Sequence, residues 1–261
     1  MYSEERKAQI IELIEKHGSI NVNVLAERFE TSRETIRRDL NDLQKHGVLK
    51  RTHGGAVAEN HAGAAFSGEY PIGIRGIRQV TEKNKICAKA ASFIEEGDTL
   101  FVDNSSTLIY LPQYIPPELH VTIITNSIDF LLAVSKVPHY NLLLICLGGI
   151  FKSDNLSVHG SIAAKNAEEY YPSKAFFSCA GISPHHKVAD SSIHEIEIKR
   201  MMIERAQETF LLADCTKLQK TGQMHLCGFE AVDHLITDDK ISSSNVDVSF
   251  LESNGIDVMI A

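Results

Sequence analysis

Residues 32–57 read SRETIRRDLNDLQKHGVLKRTHGGAV. Ile36, Leu40 and Leu43 fall on one face of a helical projection, and Arg33, Arg37 and Arg38 fall away from it. Ser32, just ahead of this periodic run, is placed to cap the helix N-terminus. His46-Gly47 closes it. Residues 48–57 then read as a β-hairpin, out through Val48-Leu49-Lys50-Arg51-Thr52 and back through Gly54-Gly55-Ala56-Val57. Upstream, residues 4–16 place Ile10, Ile11, Leu13 and Ile14 on one side of a first helix, ended by His17-Gly18. Ser19-Ile20 is a short extended link. Residues 22–29 form a second helix, with Val22, Leu25, Ala26 and Phe29 at i, i+3, i+4 and i+7. Three helices followed by a hairpin is the order of a winged helix-turn-helix.

The chemistry of this segment suits a DNA major groove. Arginine pairs bidentately with guanine O6 and N7, and short hydroxyls reach phosphates. Ser32, Arg33, Glu34, Thr35, Arg37 and Arg38 on the third helix are therefore candidate DNA contacts. Lys50, Arg51 and His53 on the hairpin would approach backbone phosphate or the minor groove. A merely solvated charged helix is the competing reading; the two preceding helices, the turn and the basic hairpin weigh against it.

The formal charge of −8 argues by itself against nucleic acid as a partner, but the mean hides an asymmetry. Residues 1–57 hold ten Lys/Arg against nine Asp/Glu, and the remainder holds 16 against 25. A locally basic patch on an acidic protein fits a DNA-reading head on a sensor body. Cys87, Cys146, Cys179, Cys215 and Cys227 have no CxxC spacing and read as buried free thiols; no metal or cofactor is expected. The N-terminus is too charged for a signal peptide, and the apolar-or-glycine run at residues 142–150, which Phe151 extends by one, is too short to span a bilayer. A cytoplasmic protein is expected.

Residues 58–80, rich in Gly and small side chains and without periodicity, read as a linker between domains 1–57 and 81–261. Beyond it strands and helices alternate. Strands are expected over 100–103, 121–125, 142–147, 175–179, 209–213, 234–237 and 257–260. Helices are expected over 82–95, 105–115, 127–136, 161–170, 192–206 and 240–254. Strands apolar throughout and separated by helices imply an α/β domain with a buried, mostly parallel sheet.

Polar residues punctuate the ends of those strands, where an open parallel sheet places its ligand crevice. Asp103, Asn104, Ser105, Ser106 and Thr107 follow the first, Asn126 the second and Gly149 the third. The 104–107 segment enters the expected 105–115 helix, and its amides and hydroxyls suit an anion, phosphate above all. Lys152 and Lys199 would supply counter-charge; Asp103, Asn126 and Glu195 would read sugar hydroxyls. Each cluster taken singly is as easily a helix cap.

The run Ser32 to Leu40, followed by Leu43, Gly47, Leu49, Arg51, His53 and Gly54-Gly55-Ala56-Val57, resembles the signature of the DeoR family of bacterial regulators. The second half resembles that family's sensor domain. Matching pieces include residues 97–103, Ser106-Thr107, residues 125–127, Gly148-Gly149, Gly160, residues 199–203, Ala213-Asp214 and residues 236–238. Asn104-Ser105 departs from it where the family often has a Gly before the Ser/Thr pair. The resemblance implies operator binding, commonly repression of a carbohydrate-utilisation operon, and a sensor similar in fold to ribose-5-phosphate isomerase and the CoA transferases. A phosphorylated sugar is the expected effector. The partners expected are operator DNA and that effector, with no membrane, and the working form a homo-oligomer, dimer or tetramer. Two rival readings remain: an isomerase or transferase using Asp103, Glu195 and Lys199 as acid, base and electrophile, and a regulator whose second domain serves assembly alone.

Overall fold

The computed structural model describes residues 3–45, 48–58, 72–138, 141–242 and 247–261. The helix end expected at His46-Gly47 and residues 59–71 of the expected linker lie outside them. The chain divides into two compact units, Met1–Gln79 and Val80–Ala261.

In the first unit, α1 (Ser3–His17), α2 (Val22–Arg28) and α3 (Arg33–Lys45) pack beside a three-stranded sheet. Asn21 starts α2, its side chain accepting from the Asn23 amide at 2.8 Å, and Ser32 starts α3 by accepting from the Thr35 amide at 3.1 Å. Ile10, Ile11, Ile14, Leu25, Ile36, Leu40, Leu43 and Leu49 close the core. Full burial of each contributes about 1.5–3 kcal/mol. The hairpin is β2 (Leu49–Arg51) and β3 (Gly55–Ala58). The expected extended link is in fact a third strand, β1 (Ser19–Asn21), antiparallel to β3. Gly55 permits that pairing: a Cβ there would stand 1.9 Å from the Ile20 carbonyl oxygen. Part of the expected linker is folded. Helix α4 (Ile72–Gly76) buries Ile74 in the core of this unit.

The second unit opens with α5 (Val80–Ala91), β4 (Thr99–Val102), β5 (Val121–Thr125), α6 (Ile128–Val134) and β6 (Leu142–Cys146). A hairpin of β7 (Ile150–Lys152) and β8 (Ser157–His159) leads into α7 (Ser161–Ala167) and β9 (Lys174–Phe177). Then come β10 (Gly181–Ser183), β11 (Lys187–Asp190), α8 (Ile196–Arg205), β12 (Glu208–Leu212) and β13 (Met224–Cys227). The chain ends with β14 (His234–Thr237), α9 (Ser249–Glu252) and β15 (Asp257–Ile260). Among the described residues, one seven-stranded sheet has the order β15-β14-β12-β9-β4-β5-β6, every neighbouring pair parallel. Its inner strands are buried on both faces, with Phe101, Phe176, Phe177 and Phe210 essentially inaccessible, while the edge strands β6 and β15 are partly exposed. The chain runs outward from β4 to β6, then returns to β9 on the other side. That reversal opens a crevice at the carboxyl ends of β4 and β9.

Two expected helices differ from expectation. Residues 105–115 form a turn and then a 3₁₀ helix, Leu108–Tyr114, because Pro112 within it lacks the N–H an α-helical turn needs. Among the described residues of 240–254, the structure has a 3₁₀ turn at Asp239–Ser242 and the one-turn α9, begun where Asp247 accepts from the Ser249 amide; residues 243–246 of this expected helix lie outside them. A small antiparallel sheet, β10-β11-β13, was not legible from periodicity. Cys87, Cys179 and Cys227 are buried as expected, and Cys227 is pushed up to about 12 by burial, but Cys146 is exposed on β6.

Candidate functional site

On the head, Ser32, Arg33, Glu34, Arg37 and Arg38 are exposed on one side of α3, while Ile36, Asp39, Leu40 and Leu43 are buried on the other. The sequence-predicted face is thus physically separate from the core face. Ser32 Oγ and Thr35 Oγ1 share a hydrogen bond of 2.9 Å, and Arg37 leans on Glu34 at 3.4 Å. What anchors the helix is Arg6, whose Nε lies 2.6 Å from Asp39 Oδ2. Its signal in the sequence is a charge on an apolar stripe, four residues before Ile10. Lys50 and His53 are exposed on the hairpin. Arg51 differs: its guanidinium donates to Asn41 Oδ1 at 2.5 Å and to the Arg37 carbonyl at 3.3 Å. It braces the hairpin against α3 rather than reaching outward.

In the second unit, Asp103 ends β4 in the crevice. It accepts from the amides of Ser105 and Ser178, both at 2.9 Å. Lys199 Nζ lies 3.0 Å from Asp103 and 2.5 Å from Asp190, and donates to the Ser178 carbonyl at 3.1 Å. Burial alone would lower the Lys199 pKa; Asp103 and Asp190 outweigh it and hold the ammonium well above its ordinary range. The expectation that Lys199 supplies counter-charge to an effector is therefore corrected: its charge is committed to two buried carboxylates. For the same reason Asp103 is a brace of the crevice rather than a reader of hydroxyls.

The cation at the 104–107 turn is Lys83, which sequence reasoning missed. Its Nζ donates to Ser106 Oγ at 3.0 Å, and both residues are buried. It too sits on an apolar stripe, with Ile86, Cys87 and Ala90 at i+3, i+4 and i+7. The turn is fixed by its own bonds: Leu108 N–H donates to Ser105 Oγ at 3.3 Å, and the Thr107 carbonyl accepts from the Cys87 thiol at 3.1 Å. The turn thus presents a lysine, hydroxyls and loop amides, and leads into a 3₁₀ helix rather than an α-helix.

Glu195 sits at the head of α8, buried, and accepts from Asn155 at 3.0 and 3.2 Å, from Ser157 at 2.5 Å and from Asn104. Burial raises its pKa, but the bonds from Ser157, Asn104 and Asn155 and the Lys199 charge outweigh this and hold it below the ordinary carboxylate value. Asn155 and Ser157 come from the β7–β8 hairpin, so Glu195 ties that hairpin to the crevice. Lys152 on β7 and His194 both act on His159. Burial first, then those two charges, hold its imidazole low against the pull of Glu195. Gly149, at φ +109°, serves the hairpin root, where a Cβ would stand 2.5 Å from the His159 carbonyl oxygen. Asn126 donates weakly to Asn104 and to the Val158 carbonyl, both at 3.5 Å, and its Oδ1 is buried with no partner. Ser192 Oγ and Thr237 Oγ1 are likewise buried and unpaired.

A winged helix-turn-helix carrying an arginine face, on a chain whose second unit holds a polar crevice at a parallel-sheet switch point, defines the class of DNA-binding regulators with a sensor domain. The comparisons agree. The DeoR-like helix-turn-helix domain matches residues 6–62, and the DeoR C terminal sensor domain matches residues 78–239. This chain belongs to the DeoR family of transcriptional regulators. The HTH-type regulator YulB of Bacillus subtilis is 34% identical, covering 93% of this chain and 91% of its own. The lactose phosphotransferase system repressor of Streptococcus mutans is 35% identical over 91% of this chain and 93% of its own. The L-fucose operon activator of Haemophilus influenzae is 30% identical over 89% and 91%. No helix among the described residues is long and apolar enough to cross a membrane.

Proposed function

We propose that this chain represses a carbohydrate-utilisation operon from the cytoplasm, and that a phosphorylated sugar bound at the carboxyl ends of β4 and β5 relieves the repression. The observation that carries the effector reading is the buried Lys83–Ser106 contact at 3.0 Å, joined by the unpaired Asn126 Oδ1 just past the end of the neighbouring strand β5. A buried cation on a hydroxyl-rich turn suits a phosphate, and a buried acceptor without a partner suits a sugar hydroxyl, since leaving it unmade costs about 1–3 kcal/mol. Glu195, Asn155 and Ser157 hold the hairpin over the sugar, and Lys152 approaches it from β7. The name of the lactose phosphotransferase system repressor supports a sugar-linked role. Turnover is the weaker reading, because Asp103 and Lys199, which it needs as acid and electrophile, are locked on each other.

On the head, Arg33, Arg37 and Arg38 read base edges, and Lys50 and His53 meet phosphates. The working form is a homo-oligomer joined through the α/β unit, because a single head reads few base pairs. The test is an operator-release titration with sugar phosphates and their unphosphorylated parents. Release by a phosphate and not by its parent is expected; equal response to the free sugar overturns the phosphate reading.

A further inference from the structure

We infer that two copies of this chain join along the outer edge of β6, in antiparallel register across a two-fold axis. The inference rests on the oligomer reading above and adds to it the surface.

Strand β6 ends the seven-stranded sheet, and its outer side has no neighbour among the described residues. Natural sheets blunt such edges with charge or proline. The opposite edge, β15, does so: exposed Asp257 lies on it, 3.2 Å from His234 Nδ1. The β6 edge does not. From Asn141 to Phe151 the chain carries no charged residue and no proline. Leu143 is 60% exposed, and Ile150 and Phe151 on the adjoining hairpin are 62% and 54% exposed. Ile162, on α7, is 61% exposed; Ile150 reaches toward Gly160 at the start of that helix.

The occupant follows from register and charge. The Leu147 amide donates inward to the Thr125 carbonyl at 3.0 Å. By alternation, Leu142, Leu144 and Cys146 turn their N–H and C=O groups outward. Antiparallel pairing centred on Leu144 sets Leu144 opposite its own copy and Leu142 opposite Cys146. Every outward donor then meets an outward acceptor. A surface that satisfies itself under a two-fold is an isologous interface. An edge without charge has nothing with which to select a different partner. A stable interface buries about 800 Å² per partner, more than five residues present. Ile150 and Phe151 at the start of the hairpin, and Ile162 on α7, add exposed apolar side chains beyond the strand.

The test uses the full chain. Wild type should sediment at micromolar concentration as a dimer or a multiple of one. Leu143→Arg, at an exposed site, sets like charges diagonally across the axis and should halve the sedimenting mass. Leu144→Cys in a Cys146→Ser background brings two thiols to a paired position, about 5.5 Å between Cα atoms, within disulfide reach. Mild oxidation should give a covalent dimer, a readout that holds even if Leu143→Arg misfolds. An oligomer that resists Leu143→Arg and gives no Leu144→Cys cross-link overturns the β6 edge while leaving the oligomer reading intact. A wild-type monomer that binds operator tightly overturns both.

Discussion

Lys83 Nζ and Ser106 Oγ meet at 3.0 Å, both side chains buried, and join α5 to the turn after β4. Replacing Lys83 by Met keeps the aliphatic bulk and removes the charge. Operator affinity should stay within twofold of the parent, because the head is untouched. The concentration of sugar phosphate needed for release should rise at least tenfold, about 1.4 kcal/mol. Ser106→Asp should abolish the response by placing a carboxylate where the phosphate sits and pairing it with Lys83. A Lys83→Met protein that responds normally would remove Lys83 from the effector site.

Arg33 and Arg37 stand exposed on α3, four residues apart, and the Arg37 guanidinium lies 3.4 Å from Glu34. Arg33→Ala and Arg37→Ala should each cost about 1–3 kcal/mol of specific binding and relax the sequence preference. Lys50→Ala should weaken binding to all sequences alike and lower the salt slope by about one. Arg51→Ala should behave as neither: it frees the hairpin from Asn41 and Arg37, so both specific and non-specific binding fall with little change in salt slope. Operator titrations at several salt concentrations separate the three patterns.

These contrasts mark where sequence reading stops. Apolar runs located the inner strands at 121–125 and 234–237, because a strand buried on both faces leaves an uninterrupted signature; the edge strand at 257–260 is partly exposed and showed only as the short apolar run Val258-Met259-Ile260. Strands of three residues, such as β7, β8 and β10, are too short to show a period. Periodicity also could not weigh Pro112 against the 105–115 pattern. In the crevice, strand-end polar residues were legible, but which lysine serves them was not. Lys199 and Lys83 both lie on helices among apolar residues; only the fold sets Asp103 and Asp190 around the first and Ser106 beside the second.

Glu195 gives the fold an acid-sensitive tie. Its carboxyl titrates below the ordinary value in the folded state, so the folded form holds the charged group more firmly than the unfolded chain does. That stabilisation is present above the unfolded pKa, near 4.5, and is lost as pH falls through the lower folded value. Glu195→Gln should be less stable than wild type at pH 7, and the gap should narrow as pH falls below about 4.5. Thermal unfolding between pH 3 and pH 7 follows it; a gap that widens on acidification would contradict the assignment.

An ion pair lies beneath α3. Arg6 Nε stands 2.6 Å from Asp39 Oδ2 and Arg6 Nη2 3.3 Å from Oδ1, with side chains only 9% and 3% exposed. Desolvating both charges offsets much of their attraction, so such a pair need not stabilise the fold relative to apolar residues of similar volume. Removing one partner is different, because the other is left buried and unpaired. Arg6→Met should therefore destabilise the head by about 3–5 kcal/mol, and Asp39→Leu by a similar amount. The double variant should recover most of the loss. Operator affinity tells whether the pair also sets the angle of α3. If the double variant regains stability but not specific binding, the pair orients the arginine face; if it regains both, the pair only fills the core. Calorimetry of the full chain, following the head's transition, checks the stabilities. Single variants as stable as the parent would show that the contact carries no buried charge.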